Sequence, residues 1–168
     1  MKKNAPSLEI IHDIRQYFED ANQIFNRKRR YDNDRRDFYA RSMVIFAISN
    51  RIIDLAREVT SICGYSKPGE QIRNKVFFKR FNDHQVIDLK MRQEMINLVN
   101  FRNRISHHFF EITNDELEEV YTRFPTYLEF VQIMEHEIER KSTEKRLLAG
   151  IGVAALISGI LILVWYFS

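Results

Sequence analysis

The last 22 residues, 147–168, read LLAGIGVAALISGILILVWYFS and carry no charged side chain. This run restricts the fold more than any other feature. As a helix rising about 1.5 Å per residue it spans roughly 33 Å, close to the hydrocarbon thickness of a bilayer. It closes on Trp165 and Tyr166, amphipathic rings suited to a membrane interface. The run is therefore expected to be one C-terminal transmembrane helix; a buried core helix is the alternative, and a domain of this size seldom encloses so long an uncharged stretch. No N-terminal apolar counterpart accompanies it, so it does not read as a cleaved signal peptide and the chain is expected to be tail-anchored. Arg140, Lys141, Lys145 and Arg146 flank it upstream and nothing basic follows. The positive-inside rule then puts the N-terminal domain in the cytoplasm. Within the run Gly150, Ala154 and Ser158 repeat every four residues, as do Ala155 and Gly159. Such small faces let membrane helices pair, although glycine and alanine are also simply common there.

Residues 1–146 hold all 26 Lys and Arg and all 23 Asp and Glu, and are expected to form one compact domain. A balance of +3 does not by itself require nucleic acid as a partner. The only cysteine, Cys63, excludes an intrachain disulfide and every multi-cysteine zinc site. It ends an apolar stretch just before Gly64, which favours packing over nucleophilic chemistry.

The domain reads as all-α, with only three prolines and five glycines in the whole chain. A first helix is expected over residues 7–26, with Ser7 as N-cap and Ile10 or Ile11, Ile14, Phe18, Ala21 and Phe25 on its apolar face. A charged turn, RKRRYDNDRR, leads to a second helix over 34–62, whose Ile45, Ile48, Ile52, Leu55, Val59 and Ile62 alternate spacings of three and four. That is the seam of a helical bundle. Gly64 is a natural stop, and Pro68 and Gly69 keep the helix from resuming. A short amphipathic piece over 72–81 precedes a third helix over 85–105 or slightly beyond. The sequence TNDE, Thr113 to Glu116, resembles a capping box opening a fourth helix to about Lys141, with a kink expected at Pro125.

The seam of the third helix, Met91, Met95, Leu98, then position 102, Ile105 and Phe109, places Arg102 where packing asks for an apolar side chain. Either its stem packs while the head reaches solvent, or the guanidinium serves a cleft or subunit interface. Two histidines, His107 and His108, follow within the stretch NFRNRISHHFFE. Metal binding by His107 or His108 with Glu111 lacks a second ligand group, since His12, His84 and His136 lie in unrelated contexts. Acid/base chemistry on a phosphodiester suits the residue types, because histidine exchanges protons near neutral pH and arginine offers a fixed fork of donors. On a regular helix Arg104 and His108 share a face, whereas Arg102 and His107 are about 140° apart. A solvated polar helix end remains the third reading. The basic cluster Arg27, Lys28, Arg29, Arg30, Arg35, Arg36 and Arg41, interleaved with Tyr31, Phe38 and Tyr39, fits an RNA backbone, anionic lipid or a solvated turn equally.

The order Arg102, Asn103, three residues, His107, one residue, aromatic Phe109 resembles the R-x4-H-x-Y signature of HepT-like toxins, a branch of the HEPN superfamily of helical ribonucleases. The likeness extends from about Asp37 to Met134: an Ile- and Ala-rich helix, the Gly64–Tyr65–Pro68 turn, a Phe-containing short helix, MINLVNFRNRISHHF, and a helix interrupted by Pro125. The resemblance implies an antiparallel four-to-five-helix bundle that forms a homodimer with a composite cleft. It further implies Arg102 and His107 as the catalytic pair, with Asn103, Arg104 and His108 in supporting or RNA-binding positions and neither metal nor other cofactor. The implied activity is a metal-independent endoribonuclease of a toxin or defence system; a non-catalytic nucleotide- or partner-binding bundle at the membrane is the alternative. Phe109 stands where the family has tyrosine, so the phenol that partner nucleotidyltransferases modify in related systems is absent. That weakens the expectation of such an antitoxin partner.

Overall fold

The computed structural model describes residues 5–26, 35–67 and 69–167, with side chains over the parts of these ranges between 6 and 148. Six α-helices follow one another: α1 (Ala5–Phe25), α2 (Arg35–Ile62), α3 (Asn74–Asp83), α4 (Leu89–His107), α5 (Asn114–Thr122) and α6 (Phe124–Phe167). A single 3-10 turn, Phe109–Glu111, joins α4 to α5. The fold is an all-α bundle with α2 at its centre, packed against α1, α3, α4, α5 and α6.

The periodicity of α2 explains that position. Ile45, Ile48, Ile52, Leu55 and Val59 are fully buried, and they meet Ile14 of α1, Phe78 and Phe81 of α3, Met95 and Leu98 of α4 and Phe130 of α6 in one core. Each such side chain contributes about 1.5–3 kcal/mol through the apolar surface it removes from water. The expected face of α1 is buried as Ile11, Ile14, Phe18, Ala21 and Phe25. α2 stops in a Schellman arrangement: Tyr65 N–H donates to the Thr60 carbonyl at 2.9 Å and Gly64 N–H to that of Ser61 at 3.1 Å. Gly64 sits at φ +73°, which glycine adopts without the steric cost of a Cβ.

Several boundaries differ from expectation, each for a local reason. Ser7 is not an N-cap; α1 begins at Ala5, Pro6 is tolerated in its first turn, and Ser7 lies buried inside the helix. α4 begins at Leu89 rather than near residue 85, because Gln85 takes a left-handed φ of 58° and Asp88 caps the helix by accepting from Met91 N–H at 2.7 Å. The single kinked helix expected after Thr113 is two helices. α5 ends at Thr122, and Pro125 falls in the first turn of α6, where its missing N–H breaks no helical bond. Arg123, at the break, bonds Glu94 of α4 at 2.6 Å and Glu119 of α5 at 2.8 Å. A bundle of four to five helices thus becomes six.

α6 does not end near Lys141. Ion pairs of Arg140 with Glu137 and Glu144 and of Lys141 with Glu144 carry it through that region, and the helix continues to Phe167. Up to residue 148, where the described side chains end, no helix is long and apolar enough to cross a membrane. The expected transmembrane segment, 147–168, with its small-residue faces, lies from residue 149 outside the side chains described. Arg27 to Tyr31 of the basic cluster also lie outside the described residues.

Candidate active site

The C-terminal half of α4 is anchored by buried Leu98, Val99, Phe101 and Ile105, which leaves residues 102–104 partly exposed at the surface. Arg102 is half-buried and its head lies across α2. Its Nε–H donates to Asn50 Oδ1 at 2.8 Å, Nη1 donates to Asn103 Oδ1 at 3.3 Å, and its Cζ stands 5.0 Å from the centre of the Phe46 ring. The cation in the apolar seam is therefore seated on a helix partner through a neutral amide and an aromatic face. No acidic side chain among the described residues forms an ion pair with Arg102, so its charge is not neutralised within the described chain.

His107 is the last residue of α4 and is exposed. Among the described residues its side chain has no hydrogen-bond or ion-pair partner. Because α4 is helical through His107, the separation of about 140° from Arg102 persists. Among the described residues no bond joins Arg102 to His107.

The neighbouring residues are differently placed. Arg104 Nη1 bonds Glu116 Oε1 at 2.7 Å and its Cζ lies 5.8 Å from the Phe101 ring. The second oxygen of Glu116 accepts from Thr113 N–H at 2.9 Å, completing the capping box expected from TNDE. The Arg104 hydrogen bond, with help from the Thr113 N–H, holds the Glu116 carboxyl below the ordinary range, and Glu116 raises Arg104 in return. His108 caps α4 and its Nδ1 lies 3.2 Å from Glu111 Oε1, with both groups exposed. Among the described residues no three His, Cys, Asp or Glu side chains converge as a metal site.

Phe109 packs edge-on against Phe38 and stacks on Tyr39 at 5.4 Å with the rings 9° apart. Phe110 projects with 89% of its surface exposed. Tyr39, Met43, Phe46 and Asn50 recur at spacings of four, three and four along α2, so the support of Arg102 and the exposed apolar side chains of Tyr39 and Met43 share one face. Arg41, counted in the basic cluster, faces the other way and is only 2% exposed. It forms an ion pair with Glu118, donates to the Phe25 carbonyl at 3.4 Å and lies over the Phe25 ring. An RNA-tracking role for Arg41 is thereby excluded: burial removes it from any phosphate.

Asn50 and Phe46 were not singled out by the sequence. The signal was weak: a polar Asn50 interrupting the apolar run before Arg51 and Ile52, with nothing in one dimension linking it to a residue 52 positions away.

Residues 8–134 match the family model described as Ribonuclease HepT-like. No curated protein matches the chain. Among solved structures, a chain from the crystal structure of a toxin–antitoxin with AMP-PNP is similar at 14% identity and a TM-score of 0.67, over 76% of this chain and 96% of that one. A chain from a mutant of the MntA-HpeT toxin–antitoxin is similar at 13% identity and a TM-score of 0.66, over 77% and 98%. At such identities the likeness to these two structures is one of fold.

Proposed function

We propose that this chain, which belongs to the HepT-like ribonuclease family by a match over residues 8–134, is the toxin of a toxin–antitoxin pair and cleaves RNA without a metal through Arg102 and His107. The observation that carries the reading is the seat of Arg102. A half-buried guanidinium is oriented by Asn50 and Phe46 without being neutralised, five residues before an exposed histidine. Such a pair suits transfer within a phosphodiester. His107 takes the proton of the 2′-hydroxyl as that oxygen attacks its own phosphate, or gives one to the departing 5′-oxygen, and Arg102 stabilises the charge gathering on the phosphoryl oxygens. The products are a 2′,3′-cyclic phosphate, or the 3′-phosphate from its hydrolysis, and a 5′-hydroxyl end.

The angle between the two residues on α4 argues that the working pair is assembled from two protomers in a homodimer. Exposed Met43, Tyr39 and Phe110 supply an apolar border that a second copy would cover. Asn103 supports Arg102 through its side-chain oxygen, and His108 stands beside the site. Arg104 acts through its ion pair with Glu116, as a prop for the turn that carries the histidines. An antitoxin partner follows from membership in the pair; modification at position 109 does not, since Phe109 has no phenol oxygen. The 22 uncharged residues in sequence, of which 147–167 belong to α6, support a C-terminal membrane anchor with the catalytic domain on the cytoplasmic side. The test is cleavage of RNA in chelator by the full chain and by His107→Ala, read from the chemistry of the new ends. A non-catalytic binding bundle would bind RNA and leave every strand intact.

A further inference from the structure

The guanidinium of Arg102 has five N–H donors in a rigid plane, and the structure accounts for two of them. Nε–H is taken by Asn50 Oδ1 at 2.8 Å and one Nη1–H by Asn103 Oδ1 at 3.3 Å. The three that remain belong to Nη1 and Nη2, so the head is presented by its Nη edge and not by the edge that includes Nε. Phe46 covers the guanidinium from the α2 side at 5.0 Å. Asn50 and Phe46 both come from α2, the central helix of the bundle, so their positions are fixed by the core rather than by a surface loop. An arginine loses substantial rotamer freedom when it is held in one geometry; having this loss occur before substrate arrives favours the reaction step itself.

The chemistry of the support is selective. An aspartate in place of Asn50 would offer the same acceptor but would neutralise the cation and compete with phosphate for it. A neutral amide oxygen fixes direction and leaves the charge available. We propose that Asn50 and Phe46 are positioning residues that aim the Nη edge of Arg102 at two oxygens of the scissile phosphate. The inference rests on the ribonuclease reading and adds to it the identity of the residues that orient the arginine.

The experiment is steady-state RNA cleavage by the full chain in detergent, comparing wild type with Asn50→Ala, Asn50→Asp and Phe46→Leu, alongside thermal melts. Because the supports act on a group needed most in the transition state, Asn50→Ala is expected to lower kcat by roughly tenfold or more while KM stays within about twofold. Asn50→Asp is expected to fall at least as far despite keeping an acceptor, and Phe46→Leu to fall less. The shape of the pH–rate profile is expected to be retained, because His107 is untouched. In an Arg102→Lys background, which has no Nε–H to hold, Asn50→Ala is expected to add less than about twofold. A merely structural Asn50 would instead give lowered melting temperatures, tolerance of aspartate and equal losses in both backgrounds, and that pattern overturns the proposal. Wild-type activity retained by Asn50→Ala also overturns it and leaves the ribonuclease reading standing. A wild-type chain that never cleaves, or a His107→Ala variant as active as wild type, removes the ribonuclease reading and the proposal with it.

Discussion

Arg104 Nη1 donates to Glu116 Oε1 at 2.7 Å, while the other oxygen of the same carboxylate closes the capping box on Thr113. One acidic side chain thus joins the C-terminal turn of α4 to the first turn of α5 and fixes the segment that carries His107, His108 and the 3-10 turn. The Glu116 pKa is lowered in the folded state, mainly by Arg104. Its contribution to stability is therefore fully present above the unfolded carboxylate value of about 4.3 and is lost as pH falls through the lower folded value. Glu116→Gln is expected to melt below wild type at neutral pH, with the gap closing as pH drops through the acid range; a gap that is unchanged across that range would contradict the linkage. Thr113→Ala, which removes the other half of the box, is expected to cost about 1 kcal/mol in urea unfolding.

The buried Arg41 makes a different prediction. It has lost its water, and Glu118, the Phe25 carbonyl and the Phe25 ring are its compensation. Arg41→Ala is expected to destabilise by roughly 3 kcal/mol, and Arg41→Met by less, since methionine fills the space without a charge to satisfy. RNA affinity and its salt dependence, measured where both proteins are folded, are expected to be unchanged. A salt slope reduced by about one would place Arg41 on the phosphate backbone and count against its buried assignment.

If Arg102 and His107 work as a pair drawn from two protomers, two inactive proteins should repair one another. Arg102→Ala and His107→Ala, each silent alone, are expected to regain up to about a quarter of wild-type activity when unfolded together and refolded as mixed dimers, since half the dimers are mixed and each holds one intact cleft. Phe110→Glu, at an 89% exposed position, is expected to weaken the dimer in sedimentation and lower activity with it. Complementation that never rises above the two separate mutants would place both residues of the working pair in one protomer.

The uncharged tail predicts a partition that is simple to measure. Full-length protein is expected to stay with the membrane pellet through an alkaline carbonate wash, and a chain ending at Arg146 is expected in the supernatant. Release of the full chain by carbonate would remove the anchor and leave the domain's chemistry untouched.

What could be read in one dimension was what repeats or caps locally. The α2 seam, the stop at Gly64 and the capping box at Thr113 each depend on residues within a few positions, and all are realised. Arg102 stood out for the same reason, as a break in a local period. The beginning of α4 was misread because apolar Val86 and Ile87 continue the helical pattern, whereas the left-handed Gln85 and the Asp88 cap end it. Pro125 was assigned a kink because sequence does not distinguish a proline inside a helix from one in the first turn of the next. The partners of Arg102 and Arg41 were illegible for a deeper reason: Asn50 is 52 residues away and Glu118 is 77, and only the packing of α2 against α4 and α5 brings them together.

Arg102 and His107 are proposed to cleave RNA without a metal. The measurement that bears on this most directly uses the purified full chain in detergent with excess chelator and identifies the RNA ends produced by wild type and His107→Ala. Wild type is expected to leave 2′,3′-cyclic phosphate or 3′-phosphate and 5′-hydroxyl ends, and His107→Ala to lose on the order of 10²–10⁴-fold in rate with its melting temperature preserved. Cleavage that chelator abolishes, or a His107→Ala protein that cuts at the wild-type rate, would contradict this mechanism.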